Sequence, residues 1–215
     1  MGFLNPVGDI RGMERWKIIM QIQQKSSSGI TLVPIESCFL SSRRLFIEGE
    51  IDTESAVDFL KNLLYLTEQD QEKPITVLIN SPGGQVNAGL LIYDAIQACP
   101  APIRLFCIGK AYSMACLLLA CGKKGQRYIL PSSETMLHEP HLYEGVGGSA
   151  SSIKSISDSI LAKKRKINGL LVKHTGRSEE EIEQVTRHDH YLSAKESLEF
   201  GLVDEIVDFS RLLEV

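Results

Sequence analysis

The stretch "PITVLINSPGGQVNAGLLIYDAIQ", residues 74–97, decides the fold. Pro74 opens a β-branched and apolar run, Ile75 to Ile79, of the kind found in strands buried on both faces. "SPGG" (81–84) then reads as a turn, and Val86–Ala98 reads as a helix. A buried strand, a turn and a helix make half of a β-α-β unit, which needs a second buried strand to close it. "IRLFCIG" (103–109) supplies that strand and is itself followed by an apolar helix that begins near Ser113.

The pattern extends in both directions. Upstream, "RLFIEGEI" (44–51) reads as a strand. Asp52 or Thr53 then caps a helix with Ala56, Leu60, Leu63 and Leu64 on one face. Downstream, "RYIL" (127–130) and "ETMLHE" (134–139) are short strands. A long helix over 150–174 carries Ile153, Ile156, Ile160, Ile167, Leu170, Leu171 and His174 near helical spacing, with Gly176 as its stop. Ser178 before "EEE" opens a further helix, Ser193 another, and "GLVDEIV" (201–207) closes with a strand. This alternation predicts an α/β architecture with a mostly parallel sheet. Ahead of it, "MERWKIIMQI" reads as a short helix, "QKSSSG" as a flexible break and "ITLVPI" as a strand.

A chain of 215 residues is most simply one domain with one substantial core. The net charge of −4 argues against nonspecific nucleic-acid binding, and "KKRK" (163–166) reads as a solvated helix face. No apolar run approaches the roughly 20 residues a membrane span needs, so no membrane partner is expected. The N-terminus shows no basic leader with an apolar stretch, and Pro6 stands where myristoylation wants Ser or Thr. The five cysteines (38, 99, 107, 116 and 121) form no CxxC pair and read as reduced, mostly buried thiols, without disulfides or zinc. A cytoplasmic location is the expectation.

In "GKAYSMACLLLAC" (109–121), Ser113 stands where a strand gives way to a helix. It reads either as a helix cap or as a nucleophile at a helix N-terminus, where unpaired N–H groups favour developing negative charge. A serine nucleophile needs an imidazole to take its proton, and the imidazole needs a carboxylate to fix its tautomer. His138, held at a strand-to-loop corner by Pro140, and Asp189, in a loop between two helices, are the candidates. The bare backbone of "SPGG" can point an N–H into a cleft and, with the N–H of Met114, form an oxyanion hole. Each piece has a plainer reading: a cap, a turn, a core histidine. The "HDH" at 188–190 and the HxxH formed by His138 and His141 lack the further ligands a metal needs, so no metal is expected.

Taken together, "INSPGGQVNAGLLIYDAIQ", "CIGKAYSMACLLLACGKKGQRYILPSSETMLHEP" and "KHTGRSEEEIEQVTRHDHYLSAKESLEFGLVDEIV" resemble the proteolytic subunit of the Clp protease, an ATP-dependent serine peptidase. The resemblance runs over about residues 45–207 in unbroken order. It implies a crotonase-like α/β fold of repeated β-β-α units with a protruding handle helix, here the helix at 150–174. It also implies a peptidase domain over 45–215 behind a divergent N-terminal arm, residues 1–44, where the family builds its pore loops. Carried over by position, the nucleophile falls on Ser113, the general base on His138 and the orienting acid on Asp189. The oxyanion N–H groups fall on Gly84 and Met114. Substrate-binding positions fall on Gly83, Gln85 and Val86, and on Gly145, Val146 and Gly147 in "YEGVGGS", which resembles the strand that pairs with an extended peptide.

The implied function is cleavage of unfolded polypeptides to short peptides inside two stacked heptameric rings. Substrate is fed by a hexameric AAA+ Clp unfoldase. ATP is used by that partner, because this chain has no GxxxxGK[ST] and needs no cofactor. Two other functions fit the same residues: a non-catalytic or weakly active ring subunit beside an active paralogue, and an acyl-CoA enzyme of crotonase type. Tyr112 and Ala115 depart from the family's usual neighbours of the serine, and Tyr112 is expected to add bulk beside it. Glu139 stands where the family commonly has Gln and adds a charge next to the base.

Overall fold

The computed structural model describes residues 20–26, 29–141 and 147–213. The chain divides into two compact units, one ending at Phe39 and the other beginning at Leu40. In the first unit, β1 (Gln21–Ser26) pairs antiparallel with β2 (Gly29–Pro34), Gln21 opposite Pro34 and Ser26 opposite Gly29. The expected helix over "MERWKIIMQI" is therefore corrected where it is described, since Gln21 and Ile22 lie in a strand. "QKSSSG" begins inside that strand as well. α1 (Ile35–Ser41) follows.

The second unit is built on a seven-stranded sheet. β3 (Arg44–Ile51), β4 (Ile75–Gly84), β5 (Ile103–Tyr112), β6 (Arg127–Ile129) and β9 (Glu205–Ile206) run in that order, each parallel to its neighbour. β7 (Glu134–Leu137) adds to the far end of β5, and β8 (His190–Ser193) pairs antiparallel with β7. The connections are α2 (Thr53–Gln69), α3 (Val86–Ala98) and α4 (Met114–Ala120), and later α5 (Ala150–Thr175), α6 (Glu179–Thr186) and α7 (Ala194–Phe200).

The central strands are apolar on both sides because both sides are covered. Ile75, Val77, Ile79, Leu105 and Cys107 face the helices. Leu78, Phe106 and Tyr128 form a second cluster on the opposite face with Val207 and Leu212, the latter in a 3-10 turn over Phe209–Leu212. α4 lies at the centre, with all seven of its residues buried. Its leucines 117–119 each contribute roughly 1.5–3 kcal/mol by leaving water. This helix, which immediately follows Ser113, is thus fully embedded in the core.

Helix ends follow the local chemistry. Asp52 caps α2 by accepting from the Ser55 N–H at 2.8 Å, and its own N–H donates to Ser55 Oγ. α5 ends at Gly176 in the left-handed conformation (φ 79°). The buried face of α2 is Ala56, Phe59, Leu63 and Leu66. Of the expected stripe only Ala56 and Leu63 are buried: Leu60 is half-buried, Leu64 is exposed, and Phe59 and Leu66 take their places. In α5 the burial is confined to Ile167, Asn168, Leu171 and Thr175 near its C-terminal end, while Ile153 and Leu161 are exposed.

One expected turn is a strand. "SPGG" continues β4 to Gly84, with Ser81 opposite Ala111 of β5 and Gly83 and Gly84 opposite Glu50 and Ile51 of β3. The pairing slips by a bulge on each side, which accommodates Pro82. Among the described residues no helix is long and apolar enough to cross a membrane.

Candidate active site

In a parallel sheet, sites form at the carboxyl ends of the strands, and here the registers bring three distant segments to one such place. Tyr112, the last residue of β5, pairs with Met136 of β7, and Leu137 of β7 pairs with His190 of β8. One residue further, Ser113 lies beside the end of β7, and His138 comes opposite Asp189. Asp189 does not sit between two helices as expected: β8 intervenes, and that strand's pairing with β7 is what delivers the carboxylate.

His138 Nε2 is 2.9 Å from Ser113 Oγ, and His138 Nδ1 is 3.1 Å from Asp189 Oδ1. An ionised carboxylate only accepts, so Nδ1 carries the proton and donates to Asp189. Nε2 of the neutral ring is then the acceptor, and Ser113 Oγ–H donates to it. The imidazole is 12% exposed, whereas Asp189 is 58% exposed. His141 stands edge-on to the imidazole, with ring centroids 4.7 Å apart.

Ser113 occupies the N-cap position of α4, but its side chain makes no capping bond. Its backbone (φ 53°, ψ −122°) lies where side-chain-bearing residues rarely go, at a cost of about 1–3 kcal/mol. The distortion is held from both sides. The Ser113 N–H donates to Met136 O at 2.8 Å, and its carbonyl accepts from Cys116 and Leu117 at the start of the buried helix. The hydroxyl is thereby available to His138 instead of the helix amides. Met114 is the first residue of α4, so its N–H has no intrahelical acceptor.

Gly83 packs directly behind the serine. A Cβ there would lie 2.6 Å from Tyr112 O, 2.8 Å from Ser113 Cβ and 3.1 Å from Met114 N, and the residue has φ 89°. Its N–H donates to Ser81 Oγ at 3.0 Å, and Ser81 Oγ donates to Gly49 O at 2.5 Å. Gly84 lies flush against β3, where a Cβ would meet Ile51 O at 2.2 Å. Gly83→Ala must therefore push Ser113 or bend the end of β4. We expect kcat/KM on a short fluorogenic peptide to fall by about 10²-fold, the scale of an ångström-size misplacement. An unchanged kcat/KM would show that this packing does not position the serine.

The remaining candidates are dispersed. Gln85 stands at the N-terminus of α3 without a side-chain capping bond, its N–H bonded to Ile51 O at 2.7 Å and its side chain accepting from Thr53 Oγ1 at 3.4 Å. Val86 begins α3 and packs on the core. Gly147 is exposed just ahead of α5. Gly145 and Val146 lie outside the described residues. Tyr112 does not crowd the serine in the way its position suggests. Its hydroxyl donates to the Glu134 carboxylate, its ring meets Tyr191 edge-on at 5.5 Å, and Lys110 Nζ lies 5.6 Å from the ring centroid.

The thiols near α4 are poor rivals as nucleophiles, because burial pushes Cys107 up to about 11 and Cys121 up to about 12. Among the described residues no three His, Cys, Asp or Glu side chains gather to hold a metal ion. Sequence reasoning passed over Ser81, which accepts from the Gly83 N–H, and Lys164, which pairs with Glu139 at 2.7 Å. The first had a signal in "NSPGG", a hydroxyl two residues before the amide it binds. The second had none.

The mixed α/β architecture with its mostly parallel sheet is consistent with a crotonase-like fold. A family model described as Clp protease matches residues 27–210, which spans the sheet, all three residues of the hydrogen-bonded line and the long α5. The chain belongs to the Clp protease family.

Proposed function

We propose that this chain is a serine endopeptidase in which Ser113 is the nucleophile, His138 the general base and Asp189 the residue that orients His138. The observation that carries the reading is the unbroken hydrogen-bond line from Ser113 through His138 to Asp189, at 2.9 and 3.1 Å. Ser113 Oγ attacks the scissile carbonyl as its proton passes to His138 Nε2. The imidazolium that forms is stabilised by the Asp189 carboxylate through Nδ1–H. The N–H groups of Met114 and Gly84 donate to the tetrahedral oxyanion. Nε2–H then protonates the leaving amine, and water, activated by the same imidazole, hydrolyses the acyl-enzyme on Ser113.

The substrate is an extended, unfolded polypeptide, bound by strand addition along Gly145, Val146 and Gly147 and seated by Gly83, Gln85 and Val86. Family membership supports an oligomer that works with a Clp unfoldase. The finer proposal is two stacked heptameric rings of this chain in the cytoplasm, fed by a hexameric AAA+ partner that uses the ATP. Of the N-terminal arm expected over residues 1–44, residues 1–19, 27 and 28 lie outside the described residues. The exposed Ile153 and Leu161 on α5 favour burial of that helix against another copy.

A fluorophosphonate tests the nucleophile directly. Peptide mapping of the labelled, assembled protein is expected to find the adduct on Ser113 alone. Failure of the assembled protein to label rejects the assignment.

A further inference from the structure

The His138–Asp189 bond is the exposed part of the proposed catalytic line. At 58% exposure the Asp189 carboxylate competes with water for the imidazole, and a contact of that kind contributes little on its own. The alignment has to come from the backbones that carry the two groups.

Those backbones meet at Lys164. This residue of α5 is only 21% exposed, and its Nζ lies 2.7 Å from Glu139 Oε2 and 3.8 Å from Glu183 Oε1. Glu139 directly follows His138. Glu183 belongs to α6, whose last residue, Thr186, is three positions ahead of Asp189. A backbone bond joins the same two segments: the Glu139 N–H donates to Thr186 O at 2.7 Å. The segment bearing the base and the helix leading to the acid are thus clamped by one amide bond and one shared ammonium. Of the "KKRK" run, Arg165 and Lys166 are exposed, and only Lys164 makes this bridge among the described residues.

The charges make the bridge necessary. Without the ammonium, Glu139 and Glu183 would repel across the junction that Thr186 closes. The Glu139 carboxylate, one residue from the base, would also act uncompensated on His138, which already faces Asp189 and the ring of His141. A nearby negative charge favours the imidazolium and so the form that cannot accept the serine proton.

We propose that Lys164 is a positioning residue for the reaction, holding His138 and Asp189 in line through Glu139 and Glu183 and neutralising the charge beside the base. The inference rests on Ser113, His138 and Asp189 acting as proposed above. The test compares Lys164→Met, Lys164→Arg and Glu139→Gln with wild type in short-peptide hydrolysis, the pH–rate profile and the rate of fluorophosphonate labelling. Lys164→Met is expected to lower kcat about fivefold to tenfold with KM within about twofold, as for an effect on geometry rather than substrate binding. The acid limb of its profile should move to higher pH. Lys164→Arg should restore both, and adding Glu139→Gln to Lys164→Met should reverse the movement of the limb.

Labelling of Lys164→Met at the wild-type rate, with an unmoved limb, would overturn the role of Lys164 and leave the nucleophile standing. Equal loss in Lys164→Met and Lys164→Arg, tracking a fall in melting temperature, would also overturn it, because that is the signature of a purely structural lysine. Wild-type protein that neither labels nor cleaves would remove the serine mechanism and this inference with it.

Discussion

Ser113→Ala is expected to lower peptide hydrolysis by a factor on the order of 10⁴–10⁶, the range seen when the nucleophile of a three-residue unit is removed. The protein should keep its fold, because the hydroxyl makes one hydrogen bond, to His138, and none to the helix it precedes. A second substitution sharpens the expectation. At φ 53°, ψ −122° a side chain is strained and glycine is not, so Ser113→Gly should be inactive yet about 1 kcal/mol more stable than Ser113→Ala. Hydrolysis of a fluorogenic peptide and denaturant unfolding of the two variants give both numbers. A Ser113→Ala protein with more than a few per cent of wild-type turnover would remove the serine from the mechanism. A Ser113→Gly protein no more stable than the alanine variant would show that the strained backbone is not a reservoir of lost stability.

Much of this was legible in the sequence, and the exceptions share a cause. The buried strands and the helices of the main sheet declare themselves through local pattern, as do the Asp52 cap and the stop at Gly176, because propensity and packing point the same way there. "SPGG" misled because Ser, Pro and Gly signal a turn locally, whereas pairing with β3 on one side and β5 on the other keeps the segment extended. The three candidate residues could be named from sequence, but their union could not be derived from it. It depends on Leu137 pairing with His190, a register across more than fifty residues that no local signal encodes. Tyr112 looked like an obstruction because adjacency in sequence stands out more than direction, and its partners Glu134 and Tyr191 come from other strands. Lys164 was hidden in a run of four cations, since a basic tract on a helix ordinarily faces water.

Arg127 was hidden in the same way, as a lone cation in "GQRYIL", and its loss should have the largest effect on stability. The side chain is 1% exposed. Nε and Nη2 grip both oxygens of Asp204, at 2.9 and 2.5 Å. Nη1 donates to the carbonyls of Ala120, His174 and Gly201, at the C-terminal ends of α4, α5 and α7. One guanidinium therefore satisfies three helix ends whose partial negative charges converge, a task the single ammonium of lysine cannot share. Arg127→Met takes the guanidinium from Asp204, leaving it only the Gly125 and Arg127 amides, and is expected to cost about 3–5 kcal/mol.

The pH dependence of unfolding tells this cluster apart from simple packing. Burial opposes ionisation of Asp204, but the hydrogen bonds and charge of Arg127, with the Gly125 and Arg127 amides, prevail and hold the carboxyl below its ordinary 3.8. Its stabilisation is thus complete above about pH 4 and is lost as the pH falls through the lower folded-state value. His174 acts earlier. Burial, then the charges of Lys173, Arg127 and Lys124, push it down from 6.5 to about 4. Tyr93, which accepts from Lys173 at 3.4 Å, is left to donate to the neutral Nε2 at 2.9 Å. Between pH 6.5 and 4 the unfolded chain binds a proton that the folded one refuses, so stability falls with pH in that window. Wild type should lose stability in two stages, the first across pH 6.5 to 4 and the second below about 4. Arg127→Met should narrow the first, because Arg127 is one of the charges that hold His174 down. It should shrink the second to the part set by the Gly125 and Arg127 amides on Asp204 and by Asp52, Asp70, Glu181 and Glu196, whose own hydrogen bonds hold their carboxyls low. Denaturant midpoints measured from pH 7 to 3 decide the matter. A variant that retains the wild-type drop below pH 4 would show that Asp204 is held by something other than Arg127.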